Sequence, residues 1–372
     1  MATLKNTTFN TTANISLPTG TTAQRPGSPV AGMVRFNSDM NILEFFNGSS
    51  WQTVTGFSRG TVGTGGQAIQ FKNSGIVHIY TSVGSHTFTP AFTGNIEVLV
   101  VAGGGGGGSH HGGGGGGGGV IINRSFPVIN GTPYSVVVGG GGSAGPYPNR
   151  GTNGGNSVFS SLTAIGGGAG GSWNGDANGN GSVPGGSGGG AGTSGDGSGV
   201  GDNRHRNFPA NGVAGQGFPG GSGIRFNQQG ENLHAAGGGG GAGGSGRCGS
   251  DHAYDGKVGD GGPGAAHDIL GETLYWGGGG GGGQYHGQFN KAAIGGVGGG
   301  GGSAIWHGQP RRPPSQVTGV GGGQALNAGQ PAGPGGNGGG TGGANTGGGG
   351  GGANYRNVAN GDGGSGIVII RY

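Results

Sequence analysis

The chain has 372 residues, of which 114 are glycine, and charged residues make up only 8% of it. Globular proteins average about 7% glycine and about 25% charged residues, so this chain cannot bury an ordinary hydrophobic core along its whole length. The formal net charge of +4 rests on few charges, and it does not indicate a nucleic-acid partner. The single cysteine, Cys248, excludes an intrachain disulfide and therefore a disulfide-stapled scaffold.

A glycine-rich chain is most often a flexible linker or a collagen. Collagen is excluded because proline is only 17 of 372 residues and no Gly-X-Y register is present. Apolar β-like runs flank the glycine tracts, which recur with comparable lengths, and this favours an ordered structure. We therefore predict polyglycine II helices that pack side by side through N–H···O and Cα–H···O bonds. The tract 112–119 would then span about 25 Å.

The amino terminus is rich in Thr and Asn and lacks a basic segment followed by an apolar one, so we expect no signal peptide. No apolar run approaches the roughly 20 residues of a membrane-spanning helix, so we expect no membrane insertion.

Three short strands are predicted in the amino-terminal part, at 33–36, 42–46 and 51–54, with Asn47-Gly48 as a hairpin turn. They form a small β-meander, which we assign to a first domain, residues 1–56. Its apolar face is too small for stability on its own, so we expect this domain to oligomerise or to dock on a partner.

Residues 57–94 are predicted to connect this domain to the rest through two β segments, 76–80 and 86–89. The third domain, 95–372, begins with an apolar run, the glycine tract 103–108, the polar tip Ser109-His110-His111 and a second tract, 112–119. The fold class is therefore mainly β plus irregular: a small meander, then strands that frame a bundle of polyglycine II helices, with few or no α-helices.

Aromatic, histidine and arginine residues concentrate in the inserts between the glycine tracts. If the tracts are rigid rods, these inserts lie at the ends of the bundle, where such residues suit recognition. The alternative is that the aromatic rings only plug the bundle ends. The candidate binding residues are His110, His111, Trp173, Arg204, His205, Arg206, Phe208, Tyr254, Tyr285, His286, Trp306, His307 and Arg311.

We expect no metal, no cofactor and no catalytic residues. His110 and His111 are the only adjacent histidine pair, and no second ligand spacing accompanies them. The 13 acidic residues are scattered through glycine loops, whereas a glycosidase needs paired carboxylates in a cleft. The sequence therefore predicts a protein that is not an enzyme.

Two stretches resemble known proteins. Residues 17–37, LPTGTTAQRPGSPVAGMVRFN, with FNGSSW at 46–51, resemble a module of structural proteins and fibres of tailed bacteriophages. The segments EVLVVAGGGG at 97–106, TPYSVVVGGG at 132–141 and GGSGIVIIRY at 363–372 resemble the glycine-rich domain of phage tail-fibre proteins and tip adhesins. The second resemblance implies a sandwich of polyglycine II helices whose variable inserts contact the host receptor at one end.

From these resemblances we expect a phage virion fibre or adhesin subunit, assembled in the cytoplasm of the bacterial host. Residues 1–56 would attach it to other virion proteins, and the inserts would bind a host surface polysaccharide or an outer-membrane protein. We expect a homotrimer, as is common for phage fibres. The alternative is a purely structural decoration fibre of the head, neck or tail. An ice-binding polyglycine bundle is disfavoured because the inserts are irregular.

Overall fold

The computed structural model describes most of the chain, in two compact units, Met1–Val62 and Gly63–Tyr372. We call them the amino-terminal unit and the glycine-rich unit. The described residues are 17–40, 42–53, 63–66, 68–72, 75–173, 182–193, 204–228, 231–249, 259–285, 292–303, 305–306, 319–333, 338–354 and 361–372.

The amino-terminal unit is the predicted meander with one short strand added in front. Its four strands lie in the order in which they follow along the chain, and the first pairs in parallel with the second. Asn47 and Gly48 form the predicted turn, with Gly48 at a φ of 102°. The strands are β1 (Thr19–Gly20), β2 (Val34–Asn37), β3 (Ile42–Phe46) and β4 (Trp51–Thr53), and the 3-10 turn Thr22–Gln24 follows β1.

One face of this small sheet is held by a buried carboxylate, Glu44, which is fully buried in β3. Arg25 binds both of its oxygens, with Nη2 to Oε2 at 2.5 Å and Nε to Oε1 at 3.2 Å. Asn37 donates to Oε2 at 3.2 Å, and Arg35 Nε lies 3.6 Å from Oε1. The hydrogen bond from Arg25 is the main reason why the pKa of Glu44 lies below its ordinary value. A buried charge needs such partners, so this network orders the segment that carries Arg25 against the sheet.

The glycine-rich unit is built on a sandwich of two antiparallel sheets. The larger sheet has the order β5-β6-β20-β8-β9, and the smaller has the order β12-β11-β10-β7. The strands of the sandwich are β5 (Ala68–Lys72), β6 (Gly75–Tyr80), β7 (Gly84–Phe88), β8 (Gly94–Val101), β9 (Val120–Val128), β10 (Tyr134–Val138), β11 (Ser157–Phe159), β12 (Leu162–Ala164) and β20 (Ile367–Arg371).

Strands β8 and β20 are apolar on both faces because both faces are covered. Alternate residues of a strand point to opposite sides. Val98 and Val368 belong to the core between the two sheets, together with Phe88 and Phe159. Leu99 and its neighbours on the outer face pack instead against Ile269, Leu270 and Trp276. These covering residues lie in and around a hairpin of β16 (Ala265–His267) and β17 (Leu274–Trp276).

The last strand of the chain lies in the middle of the larger sheet. Strand β20 pairs with β6 on one side and with β8 on the other, so the carboxyl-terminal residues complete the sandwich. The final residue, Tyr372, accepts a 2.8 Å hydrogen bond from Gly63 N on its hydroxyl and lies 3.0 Å from His78 Nε2. Burial lowers the pKa of His78 and favours its neutral form.

The glycine tracts continue directly from the strands of the sandwich. The tract 103–108 prolongs β8, and the tract 112–119, which we call the central tract, leads into β9. The central tract exchanges backbone hydrogen bonds with six other tracts. They are 103–108, 166–171, 185–191, 237–241, 277–283 and 347–353.

The hydrogen bonds of the central tract repeat every third residue. Its successive N–H groups donate to three of the neighbouring tracts in a repeating order, and its C=O groups accept hydrogen bonds from the other three. A three-residue repeat without internal hydrogen bonds is the geometry of a polyproline II helix. The prediction of packed polyglycine II helices is therefore confirmed. The donated bonds, between 2.8 and 3.1 Å, run Gly113 to Gly171, Gly116 to Gly168, Gly114 to Gly237, Gly117 to Gly240, Gly115 to Gly350 and Gly118 to Gly347.

Close packing of the central tract leaves no room for side chains. A Cβ atom on Gly115 would lie closer than 3.0 Å to the carbonyl oxygen of Gly105, a separation that real Cβ atoms essentially never show. The obstacle is backbone rather than a flexible side chain, so it cannot move aside. Alanine is thus excluded at Gly115 for steric reasons.

The predicted fold class, mainly β plus irregular, is confirmed. The described residues contain strands, turns and polyglycine II segments, with the 3-10 turn as their one helical element. In the described part of the chain, no helix has the length and apolar character needed to cross a bilayer.

We predict that Gly115→Ala destabilises the glycine-rich unit by about 1–3 kcal/mol, the range of an overpacked core. Gly323→Ala is the matched control, since a Cβ on Gly323 meets nothing within 4 Å and its backbone suits alanine. The control should unfold at the same temperature as the parent chain or slightly higher, because alanine restricts the unfolded chain. Calorimetry measures both, and equal melting temperatures for the two variants would contradict the packing described above.

We predict an acid transition of the amino-terminal unit that depends on Glu44. Because the folded-state pKa of Glu44 is lowered, its contribution to stability is present above the ordinary glutamate pKa of about 4.3. That contribution is lost as the pH falls through the lowered pKa. The fluorescence of Trp51, which lies close to Arg25 and Arg35, reports the transition. Its emission is obtained by subtracting the spectrum of the Trp51→Phe variant from that of the parent chain. Glu44→Gln should be less stable at neutral pH and should lose the pH dependence; an unchanged pH profile refutes the assignment.

Candidate functional site

The hairpin between the tracts 103–108 and 112–119 has an unusual backbone. His110 and His111 have φ values of 46° and 54°, in the left-handed region, and a 2.9 Å bond from Gly108 N to Gly113 O closes the turn. Each residue of a polyglycine II helix advances about 3.1 Å, so this turn lies roughly 25 Å from the sandwich. It marks the far end of the bundle.

Six aromatic and imidazole rings meet at this end, and we call them the ring cluster. His111 is at its centre, and its ring stacks on that of His234 with 4.6 Å between centroids and 7° between planes. Trp173 lies 5.1 Å from His111 and 4.9 Å from His234, and Tyr285 lies 4.7 Å from His111. The members of the ring cluster are His110, His111, Tyr147, Trp173, His234 and Tyr285.

The ring cluster has a buried floor and an accessible rim. The three histidines are at most 7% exposed. Tyr147 is 39% exposed, and Trp173 and Tyr285 are half-buried. The cluster therefore both closes the end of the bundle and presents aromatic surface to the outside.

Polar contacts fix the chain segments that carry these rings. Thr193 N donates to His111 O at 3.2 Å, and Thr193 Oγ1 lies 3.1 Å from His234 Nδ1. Ser109 Oγ donates to Asn149 O at 2.8 Å, and the Ser172 hydroxyl donates to Pro148 O. Segments that are far apart in sequence are thus tied to one another beside the ring cluster.

A second sheet lies at the same end, and we call it the tip sheet. Its order is β13-β14-β15-β18-β19, so strands from separate inserts pair side by side. His234 in β15 is opposite Tyr285 in β18, which connects the tip sheet to the ring cluster. The strands are β13 (Arg204–Asn207), β14 (Gly223–Gln228), β15 (Glu231–Ala235), β18 (Gln284–Tyr285) and β19 (Ile305–Trp306).

The register of the tip sheet places one row of residues across all five strands. Each residue of the row is the direct partner of the next. Directly opposed residues share a face of a sheet, so Arg225, His234 and Tyr285 lie on one side. The row is His205, Arg225, His234, Tyr285 and Trp306.

The structure brings together most of the candidate residues that it describes. His110, His111, Trp173 and Tyr285 meet in the ring cluster. The backbones of Arg204, His205, Arg206 and Trp306 lie in the tip sheet. Phe208 follows β13, is 78% exposed, and is not part of the ring cluster. Tyr254, His286, His307 and Arg311 lie outside the described residues.

Two members of the ring cluster were missed by the sequence analysis. Tyr147 lies in the short Pro146-Tyr147-Pro148-Asn149 insert, and His234 lies three residues before the glycine tract that begins at Gly237. Both stand beside glycine tracts, which was the signal that could have identified them. Their register with the other inserts depends on long-range pairing that a single sequence does not display.

The described residues at this end offer contact through rings and cations. Among the described residues, no three His, Cys, Asp or Glu side chains are arranged to hold a metal ion. The rings and cations comprise the stacking faces of Trp173 and Tyr285, imidazoles that can form hydrogen bonds, and the guanidinium of Arg225. Such a set suits recognition.

Another buried histidine, His267, belongs to the structural core of the sandwich. Its Nε2 lies 3.3 Å from Oε1 of Glu97, which also pairs with Arg371 at 2.5 Å and Arg124 at 3.1 Å. Burial lowers the pKa of His267, although Glu97 opposes that shift. This network connects β8, β9, β16 and β20, and its role is structural.

Comparison with known proteins places the larger unit in a family. No curated protein sequence matches the chain. A family model described as a glycine-rich domain matches residues 81–372, which is more than three quarters of the chain. The chain therefore belongs to the glycine-rich domain family.

Proposed function

We propose that this chain is a subunit of a bacteriophage virion fibre or adhesin that contacts the host cell through the ring cluster and the tip sheet. In this proposal residues 1–56 attach the subunit to other virion proteins, and the fibre is a homotrimer. The ligand belongs to the bacterial surface and is a polysaccharide or an outer-membrane protein. The resemblance of both parts of the sequence to phage fibre proteins supports this assignment.

The observation that carries the proposal is the pair of left-handed histidines. A left-handed backbone costs an L-residue about 1–2 kcal/mol relative to the usual helical hand, and glycine adopts it readily. The chain uses glycine at 114 positions but places His110 and His111 at this turn. Backbone strain retained in this way is commonly associated with functional sites. We infer that the two imidazole rings have a use that outweighs the strain.

The scaffold beneath the rings suits a binding role. The central tract is held by six neighbouring tracts, so the inserts at the end of the bundle are presented on a rigid support. Recognition surfaces favour Tyr, Trp and Arg on such supports, because these side chains give a large contact area at a low entropic cost. The half-buried rim of Trp173 and Tyr285 with Arg225 beside it has this composition.

We predict that the double variant His110→Gly/His111→Gly folds but binds the host poorly. Glycine relieves the strain at both positions, so the melting temperature should not fall through the backbone. Loss of both rings removes the floor on which Trp173 and Tyr285 rest. We expect at least a tenfold loss of cell binding, about 1.4 kcal/mol, measured with fluorescently labelled protein across a panel of bacterial strains that bind the parent chain.

Ser160→Gly is the matched control. Ser160 also has a left-handed φ, 51°, but lies in the β11–β12 turn of the sandwich. It should relieve comparable strain and leave cell binding unchanged. If the double variant binds cells as well as the parent and the control do, the ring cluster does not contact the receptor. If the parent chain binds none of the bacteria tested and a particle map places it on the capsid or neck, the chain is a structural decoration fibre instead.

A further inference from the structure

The ring cluster presents half-buried aromatic faces, and two strands of the adjoining tip sheet, β13 and β14, carry arginines. The strands of the tip sheet carry three arginines, Arg204, Arg206 and Arg225, against one acidic residue, Glu231. The chain as a whole is nearly balanced in charge, with 17 basic and 13 acidic residues. The excess of positive charge on these strands is therefore local.

Arg225 is the cation that register places closest to the ring cluster. It is directly opposite His234, and His234 is directly opposite Tyr285, so all three share a face. Directly opposed residues have Cβ atoms about 5 Å apart, and the half-buried Arg225 is thus within reach of a ligand that rests on Tyr285 or Trp173. His234 is buried between them and stacked on His111.

We propose that this surface binds an acidic saccharide, a sugar unit that carries a carboxylate or a phosphate group. The apolar face of the sugar ring stacks on Trp173 and Tyr285, and Arg225 pairs with the acidic group. This assignment rests on the proposed function, since it names the chemical class of the host ligand.

Two physical arguments favour a saccharide over a protein ligand. The rim rings are held against the buried histidines: Trp173 is tilted by 57° to His234, and Tyr285 is edge to face with His234 at 65°. They form a stiff platform that suits a rigid, flat ligand better than an adaptable loop. The planar fork of a guanidinium also pairs with carboxylate or phosphate through two parallel hydrogen bonds, which gives direction as well as charge.

Binding of defined sugars to the full chain tests the assignment. The probes are a glucuronate-containing tetrasaccharide, glucose 6-phosphate, a glucose tetrasaccharide as the neutral analogue, and inorganic phosphate as the bare anion. Saturation-transfer NMR and titration calorimetry report binding. We expect one or both acidic sugars to bind, the neutral sugar to bind at least tenfold more weakly, and inorganic phosphate alone to bind more weakly still. The two acidic probes distinguish a carboxylate from a phosphate.

Variants then assign the contacts. Arg225→Gln should remove the preference for acidic over neutral sugar, a loss of about tenfold or more, and Arg225→Lys should restore it in part. Trp173→Ala should weaken both kinds of sugar. Arg124→Gln is the matched control because Arg124 lies in β9, in the sandwich, and Glu97 retains Arg371 and His267 as partners. Thermal unfolding confirms that each variant is folded.

The results separate this inference from the proposed function. If wild-type protein binds acidic and neutral sugars equally, or if Arg225→Gln retains the preference, the assignment of an acidic saccharide is overturned. If the chain binds cells, no probe competes, and protease treatment of the cells abolishes binding, the ligand is a surface protein and only this inference fails. If the acidic sugar binds but no cell is bound, the adhesin function fails and the saccharide site stands.

Discussion

The glycine-rich unit depends on hydrogen bonds between backbones that carry no side chains. In the central tract, the N–H groups and the C=O groups are used in rotation by six neighbouring tracts, so the polar groups of a fully buried backbone are satisfied. Glycine loses more conformational freedom on folding than any other residue, and dense packing with complete hydrogen bonding must offset that loss. An ordinary core tolerates exchanges among apolar residues of similar volume. Here a single methyl group at Gly115 meets a carbonyl oxygen, so the central tract tolerates almost no exchange.

Glycine tracts do not by themselves fix their register against one another. The strands of the sandwich fix it. A glycine tract can slide by three residues against its neighbour and make the same bonds again. The register of β8 with β9 pairs Val101 with Val120, and the next bond, Ala102 N to Gly119 O, starts the alignment of the tracts. Strand β20 does the same for the segment 361–366, which leads directly into it, because β20 lies between β6 and β8. Slippage would move strongly apolar residues such as Ile369 out of the core, so the alignment fixed by the strands extends along the rods.

The difference between local strand patterns and long-range packing of the tracts explains which features were visible in the sequence. Strands with local patterns were predicted to within about a residue, as in β3 and β4, and the Asn47-Gly48 pair correctly predicted a turn. Polyglycine II packing was predicted because collagen was excluded and because the apolar runs beside the recurring glycine tracts favoured an ordered structure over a flexible linker. The neighbours of each tract, the central place of β20 and the pairing of β13, β14, β15, β18 and β19 in one sheet depend on contacts between distant segments. Glycine repeats carry no local mark of such pairing, so Tyr147 and His234 stayed unrecognised beside the ring cluster.

The same constraint separates the parts of the chain that can change from those that cannot. Because register is set in the sandwich and transmitted by rigid rods, the segments that carry the ring cluster are held at fixed places at the far end of the bundle. His111, Trp173, His234 and Tyr285 therefore meet although 174 positions separate the first from the last. The inserts need no large core of their own, since the rods hold both ends of each one. A substitution in an insert alters the surface without disturbing its support, whereas the rods themselves accept little beyond glycine. A bundle of this kind can present new side chains at one end while its interior stays the same, which is the property that a recognition surface on a fibre requires.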